Sequence, residues 1–255
     1  MTRARPEVSA DIALLLDRLR DALLERGGLV GVYLYGSLVT GDFSPARSDI
    51  DVLVLLEREP DEAAVGELRE LHTTLAGAAD PASRLHCLYA SAQDAADPDR
   101  LRTYWYGDRM TQWQVKVLTQ AELAAAGVAV YGPWPPPGLG PVAVADLRAV
   151  VREEMTGYWR RIARRRRLWL QDTWVDFGLI TLPRAEAVLA VGDLITKSEA
   201  IRRLPGFGVP AALADQIRRR RDGEDVTLGR LQRIRRAYLA RRLMQRGIRR
   251  LRRGG

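Results

Sequence analysis

Apolar residues recur along this chain with two different periods, and the change from one to the other divides it. Ile12, Leu15, Leu16, Leu19 and Leu23 fall on one helical face, with Ser9 placed as an N-cap and Gly27-Gly28 as a stop; the spacing predicts a helix from Ser9 to about Arg26. Val30, Val32 and Leu34 alternate as in a strand that ends at Gly36-Ser37, and a second strand opens at Asp49-Ile50-Asp51 and stays apolar through Leu56. Pro60-Asp61 opens a helix carrying Val65, Leu68, Leu71 and Leu75, with His72 expected on its surface, that closes near Gly77. Arg84–Ala90 reads as a third strand. A polar stretch, Ser91–Arg102, leads to the aromatic cluster Tyr104-Trp105-Tyr106. Trp113, Val115 and Val117 alternate with Gln112, Gln114 and Lys116, as in a half-buried strand, and a short helix is expected around Ala121–Ala126.

The segment Tyr131–Pro141, YGPWPPPGLGP, fits neither a helix nor a central strand and marks the expected domain boundary. Beyond it the period is helical throughout. Leu147, Val150, Val151, Met155, Trp159 and Ile162 predict one long helix over Ala145–Leu170. Further helices are expected over Trp174–Leu189, Lys197–Arg203, Pro210–Arg221 and Thr227–Arg246, with a frayed basic tail, Arg249–Gly255. The organisation is thus an α/β (α+β) domain with a mixed sheet over residues 1–131, a Pro-rich linker over 132–141 and an all-helical bundle over 142–255, with an active site expected in the cleft between the two domains.

A chain of 255 residues, 47% hydrophobic and 28% charged, has room for two modest cores. Cys87 is its only cysteine, which excludes an intramolecular disulfide and a cysteine metal cluster; in the strand Leu85–Tyr89 it reads as a buried thiol. Ile12–Leu16 is too short, between Asp11 and Asp17, for a signal peptide, and no run reaches membrane-spanning length, so the expected location is the cytoplasm. Charge is uneven, at −7 over residues 1–140 and +15 over 141–255. The second half therefore suits an anionic partner such as RNA. Of the 40 basic residues 38 are arginine, so arginine itself reflects a chain-wide bias, and Lys116 and Lys197 stand out against it.

The chemistry is concentrated in Gly31–Leu55. Asp49 and Asp51 are two apart on a strand and project to one side, with Ile50 on the other. Two adjacent carboxylates repel each other unless a hard divalent cation lies between them; the alternative is a solvated strand end. Gly36 permits close backbone approach to a ligand, and Ser37 offers a hydroxyl and an N–H to a phosphate.

This Gly-Ser, spacer, Asp-x-Asp pattern resembles the nucleotidyltransferase superfamily that includes the DNA polymerase β-like enzymes. Leu34-Tyr35-Gly36-Ser37 and Ser48-Asp49-Ile50-Asp51 are most similar to the streptomycin/spectinomycin adenylyltransferases. The likeness continues through Tyr131-Gly132-Pro133, Leu182-Pro183-Arg184 and Gly192–Ala200, and loosens after Gly206. It implies Mg²⁺ held by Asp49 and Asp51, phosphates cradled by Gly36 and Ser37, ATP as co-substrate, and Lys197, at a helix start, reaching the phosphates; the alternative for Lys197 is a surface lysine. It implies AMP transfer to a hydroxyl, with an aminoglycoside as the family's acceptor and antibiotic resistance as the outcome.

Two departures stand against that pattern. The family's third acid, a general base, is replaced: the strand alignment puts His86 in its place, either as the base or as a strand histidine satisfied by neighbours. The acceptor segment Tyr158–Trp174 carries six arginines against Asp172 alone, with no in-register counterpart of the family's paired acids; Asp172 and Asp176 are out of register. Trp159, Trp169 and Trp174 could stack on a sugar or base, but at helical spacing they read as core. An RNA or protein acceptor, and a degenerate relative that binds nucleotide or nucleic acid without chemistry, stay open beside the aminoglycoside.

Overall fold

A computed structural model describes residues 8–45, 47–78 and 80–253. The chain divides into two units, one comprising Met1–Phe43 and Ser48–Val142, the other Ser44–Arg47 and Ala143–Gly255.

The first unit is a mixed sheet with helices. Helix α1 (Ala10–Arg26) begins where Ser9 Oγ accepts from the Ile12 amide at 3.5 Å and buries the five apolar residues of its stripe. Strand β1 (Leu29–Tyr35) runs into a 3₁₀ turn, Gly36–Leu38, and β2 (Ile50–Leu56) follows. Then come α2 (Glu62–Ala78), β3 (Leu85–Ser91), β4 (Leu101–Tyr106), β5 (Arg109–Gln114), α3 (Val117–Ala126) and β6 (Val128–Tyr131). Among the described residues the strand order is β5-β4-β3-β2-β1-β6, with β2 and β3 parallel and every other pair antiparallel. The parallel pair is the one joined through a helix, α2, because parallel neighbours need a crossover.

Both faces of the sheet are covered, so the central strands are apolar on both sides. Val32, Leu34, Val52, Val54, Cys87 and Tyr89 pack with Leu15 and Leu19 of α1 and Leu68 and Leu75 of α2. Tyr33, Leu53, Leu55, Leu88 and Ala90 face the other way, with Leu123 of α3 and Leu139. The Pro-rich segment is tied into this second core: Tyr33 Oη donates to the Pro133 carbonyl at 3.0 Å, and Leu139 is buried there. Cys87 is buried, and burial pushes its thiol up to about 12.

Several details differ from the sequence pattern. The aromatic cluster is itself a strand, β4, and the four-residue β6 lies outside the expected elements. Trp113 is exposed on β5, because β5 is the sheet's end strand, and the chain turns into α3 at Val117, where a third strand position was expected. His72 is not on the surface: it is 1% exposed, its Nε2 lies 2.7 Å from Tyr89 Oη and its ring stacks on Trp105 at 4.7 Å.

The second unit is helical. Helix α4 (Val144–Glu154) passes through a π-helical turn (Met155–Trp159) into the short α5 (Arg160–Ile162). After a 3₁₀ turn, Leu168–Leu170, come α6 (Asp172–Val191), α7 (Lys197–Arg203), α8 (Ala211–Arg221) and α9 (Arg230–Arg253). The long helix expected over Ala145–Leu170 is therefore interrupted after Ile162. Trp169 tucks back, fully buried, its indole N–H donating to the Ile162 carbonyl at 3.2 Å, and Gln245 of α9 donates to the Ala163 carbonyl at 3.2 Å. These partners replace the intrahelical bonds that the break forfeits. The basic tail, expected to fray, is helical to Arg253, anchored by buried Met244 and Ile248. Among the described residues no helix is long and apolar enough to cross a membrane.

Candidate active site

The mouth of β2 carries the two carboxylates. Asp49 precedes the strand and is exposed; Ile50 is fully buried; Asp51, on the face of Leu53 and Leu55, is half-buried. In the parallel β2–β3 register Asp51 pairs with His86, and paired residues of neighbouring strands share a face. His86 Nε2 lies 3.5 Å from Asp49 Oδ1, and His86 Nδ1 lies 3.8 Å from Asp51 Oδ1. Three titratable groups thus meet at one corner of the sheet.

The surroundings set the state of His86. Its side chain is 12% exposed. Burial lowers its pKa below the usual value, with Asp49 pulling the other way, so the ring is neutral at pH 7 and can accept a proton. Tyr106 and Tyr104 flank it, with ring centroids 4.7 and 6.0 Å away. Burial, then Asp51 and Asp49, raise the Tyr104 phenol, which stays protonated. Nothing in the local motif marks these tyrosines; their alternation on β4, next to β3, is the signal the sequence carries.

Gly36 opens the turn after β1 at φ +71°, a conformation that disfavours other residues, and a Cβ there would lie 2.5 Å from Asp51 Oδ2. Glycine is required on both counts. Ser37 follows it, half-buried, its carbonyl accepting from the Asp42 amide at 3.1 Å.

The donor set suits a hard cation shared with a substrate. Among the described residues no group of three or more His, Cys, Asp or Glu forms a metal cage. Mg²⁺ does not demand one, because it is commonly held by one or two carboxylates and completed by substrate phosphates and water. Two carboxylates at one strand mouth, with the space left by Gly36 at Asp51, fit that arrangement; a histidine nitrogen is the poorer ligand.

Lys197 is described within the helical unit. It begins α7 after Thr196, whose Oγ1 accepts from the Glu199 amide at 3.1 Å, and its Nζ lies 5.6 Å from the Phe177 ring centroid. It lines a pocket of about 630 Å³ with Arg184, Arg220, Asp172 and Asp176. The two acids are already engaged: Arg220 holds Asp176 through two bonds of 2.8 and 2.6 Å, and buried Arg236 pairs with Asp172. Burial raises the Asp176 carboxyl against the pull of Arg220. Trp159 and Trp169 are core, and Trp174 is half-buried.

Residues 16–125 match the family model described as a nucleotidyltransferase domain. The chain carries a nucleotidyltransferase domain. That span contains Gly36, Ser37, Asp49, Asp51 and His86. No curated protein sequence matches the chain significantly. Among solved structures, the chain is similar to the spectinomycin adenyltransferase AAD(9) from Enterococcus faecialis, determined with ATP and spectinomycin. The identity is 15%, the TM-score 0.65, and the match covers 91% of this chain and 98% of that one. The likeness extends the shared fold over the helical unit. A toxin–antitoxin structure with AMP-PNP matches 58% of this chain and 97% of its own at 18% identity, with a TM-score of only 0.34, and carries no weight for the fold.

Proposed function

We propose that this nucleotidyltransferase moves AMP from ATP to a hydroxyl of an aminoglycoside-like acceptor, with Mg²⁺ as cofactor and pyrophosphate as the second product. The observation that carries the reading is the corner of Asp49, Asp51 and His86, with His86 3.5 Å from Asp49 and in register with Asp51. The resemblance of the Gly36-Ser37 and Asp49–Asp51 motifs supports ATP as donor, and the acceptor class is taken from the AAD(9) likeness.

Asp49 and Asp51 hold the metal, which supplies charge neutralisation at the α-phosphate and the departing pyrophosphate. Gly36 and Ser37 receive the triphosphate, since a side chain at Gly36 would occupy the space at Asp51. His86, neutral at pH 7, takes the proton of the acceptor hydroxyl on a ring nitrogen. The acceptor oxygen then bonds to the α-phosphorus, the bond from that phosphorus to the bridging oxygen breaks, and pyrophosphate leaves with the electron pair. The resemblance over Gly192–Ala200 supports a role for Lys197 in ATP binding, so Lys197→Ala should raise KM for ATP.

The test is pyrophosphate release from Mg·ATP with streptomycin or spectinomycin. Release that needs Mg²⁺ and one of these antibiotics, and disappears in Asp49→Asn, is the expected result. Mg·ATP binding without turnover on any aminoglycoside overturns the acceptor, and absence of Mg·ATP binding overturns the transfer itself.

A further inference from the structure

Arginine is distributed differently in α9 and in the segment before α6 than in the rest of the helical unit. In α7 and α8 several arginines have acids close by in sequence. Arg203 pairs with Glu199, and Arg218 pairs with Asp215 at 2.7 Å and Asp222 at 2.8 Å. Arg219 likewise meets Glu224 at 2.6 Å. Helix α9 has eleven arginines in 24 residues and no acid of its own; Arg236 and Arg250 pair with Asp172 and Glu186 of α6, the latter at 2.6 Å. The chain-wide preference for arginine over lysine accounts for the choice of cation but not for the missing carboxylates. Arg164–Arg167, four consecutive exposed arginines, likewise have no acid among them. Asp172, the nearest in sequence, is consumed by Arg236.

Where these two segments meet there is a cleft of about 390 Å³. Arg166, Arg167 and Arg241 stand at its rim, and Leu170, Ile234 and Tyr238 supply an apolar lining. Leu170, Ile234 and Tyr238 are 39%, 49% and 56% exposed, an arrangement that costs free energy in water unless something covers it. The Tyr238 ring is held: Arg242 lies 5.4 Å from its centroid and donates to its hydroxyl at 3.1 Å. The cleft is also preformed, because Trp169 and Gln245 fix the chain break that positions Arg166 and Arg167.

We propose that this face of the helical unit binds single-stranded nucleic acid, with a base stacked on Tyr238 and backbone phosphates on Arg166, Arg167 and Arg241. An aromatic platform inside an acid-free basic groove is the combination that single strands require, since every base has a π-face and every nucleotide a charge. Guanidinium groups match phosphate oxygens two at a time. An acidic peptide satisfies the arginines but has no use for a stacking ring, and an anionic membrane does not fit a concave cleft. The surface is independent of the transfer reaction, so it stands or falls without the aminoglycoside reading.

The experiment is fluorescence anisotropy of a labelled 20-nucleotide oligo(U) RNA against the full chain, between 50 and 300 mM salt. Binding is expected to weaken steeply with salt, with a log–log slope of about −0.7 for each phosphate neutralised. Arg166→Glu with Arg167→Glu should flatten that slope by about one to two units. Tyr238→Ala should weaken binding by roughly 5- to 150-fold at every salt concentration, with an unchanged melting curve, while Tyr238→Phe binds as the wild type does. Absence of RNA binding at 50 mM salt overturns the proposal. So does a Tyr238→Ala variant that binds as the wild type, polyglutamate that displaces the RNA on equal terms, or binding to phosphatidylserine vesicles but not to RNA.

Discussion

His86 occupies the position where the resembling family has an acid, and its physical setting decides what it can do there. A carboxylate beside Asp49 and Asp51 would add a third negative charge, whereas a neutral imidazole adds none and still offers a lone pair. His86→Ala should lower turnover by roughly 10²- to 10⁴-fold with ATP binding nearly unchanged. His86→Glu should recover activity and move the acidic limb of the pH–rate profile downward, because a glutamate titrates below a histidine. Full activity in His86→Ala would place the base elsewhere. The other histidine shows what residue type conceals. His72 is four after Leu68 and three before Leu75, so its spacing puts it on the buried stripe of α2, yet its polarity reads as surface. Burial holds its pKa at about 3, below the free value near 6.5. Between those values the unfolded chain binds the proton and the folded chain does not. Stability should therefore fall as pH drops below about 6.5, by up to about 1.4 kcal/mol per pH unit, and level off near 3. His72→Gln should remove that component from denaturant titrations at pH 7 and pH 5; an unchanged pH dependence would assign it to other groups.

Elements with a full apolar stripe were legible in the sequence: α1 is capped by Ser9 as its spacing predicts, and the two strands flanking Gly36–Asp49 fall where the alternation puts them. Short or tertiary-determined elements were not. Strand β6 has four residues, too few to show a period, and it exists because β1 offers it an edge. The alternation at Trp113 is real, but alternation does not say whether a face is covered, and an end strand leaves it open. The interruption after Ile162 depends on Trp169, which local pattern assigns to a continuous helix. Its seat is tight: a Cβ on Gly178 of α6 would lie 2.6 Å from Trp169 Cη2 and 3.5 Å from the Trp159 ring. Gly178→Ala gains about 1 kcal/mol of helix propensity. Overpacking a rigid indole costs typically 1–3 kcal/mol, and with Trp169 fully buried and hydrogen-bonded the strain should win. A net loss in melting temperature is expected, and a gain would show that the indole has room to move.

At the scale of the whole molecule the mixed sheet and the helical half were legible because each has its own period and charge, −7 before residue 141 and +15 after it. What one sequence could not supply was the engagement of Asp172 and Asp176 by Arg220 and Arg236, which joins α6 to α8 and α9 across 44 or more residues. The global consequence of the proposed metal site is a linkage between ligand and stability. Asp49 and Asp51 repel each other in the free protein, so Asp49→Asn and Asp51→Asn should leave the melting temperature unchanged or slightly higher. A ligand at a hundred times its Kd adds about 2.7 kcal/mol to the state that binds it. For a domain of 150–250 residues, each kcal/mol moves the midpoint by about 2–4 °C. With two units the transitions can separate, and calorimetry resolves which of them moves. Mg·ATP should therefore raise the wild-type midpoint by several degrees, ATP with a chelator should raise it less, and neither aspartate variant should respond to Mg²⁺. Equal shifts in wild type and variants would remove the two carboxylates from the metal site.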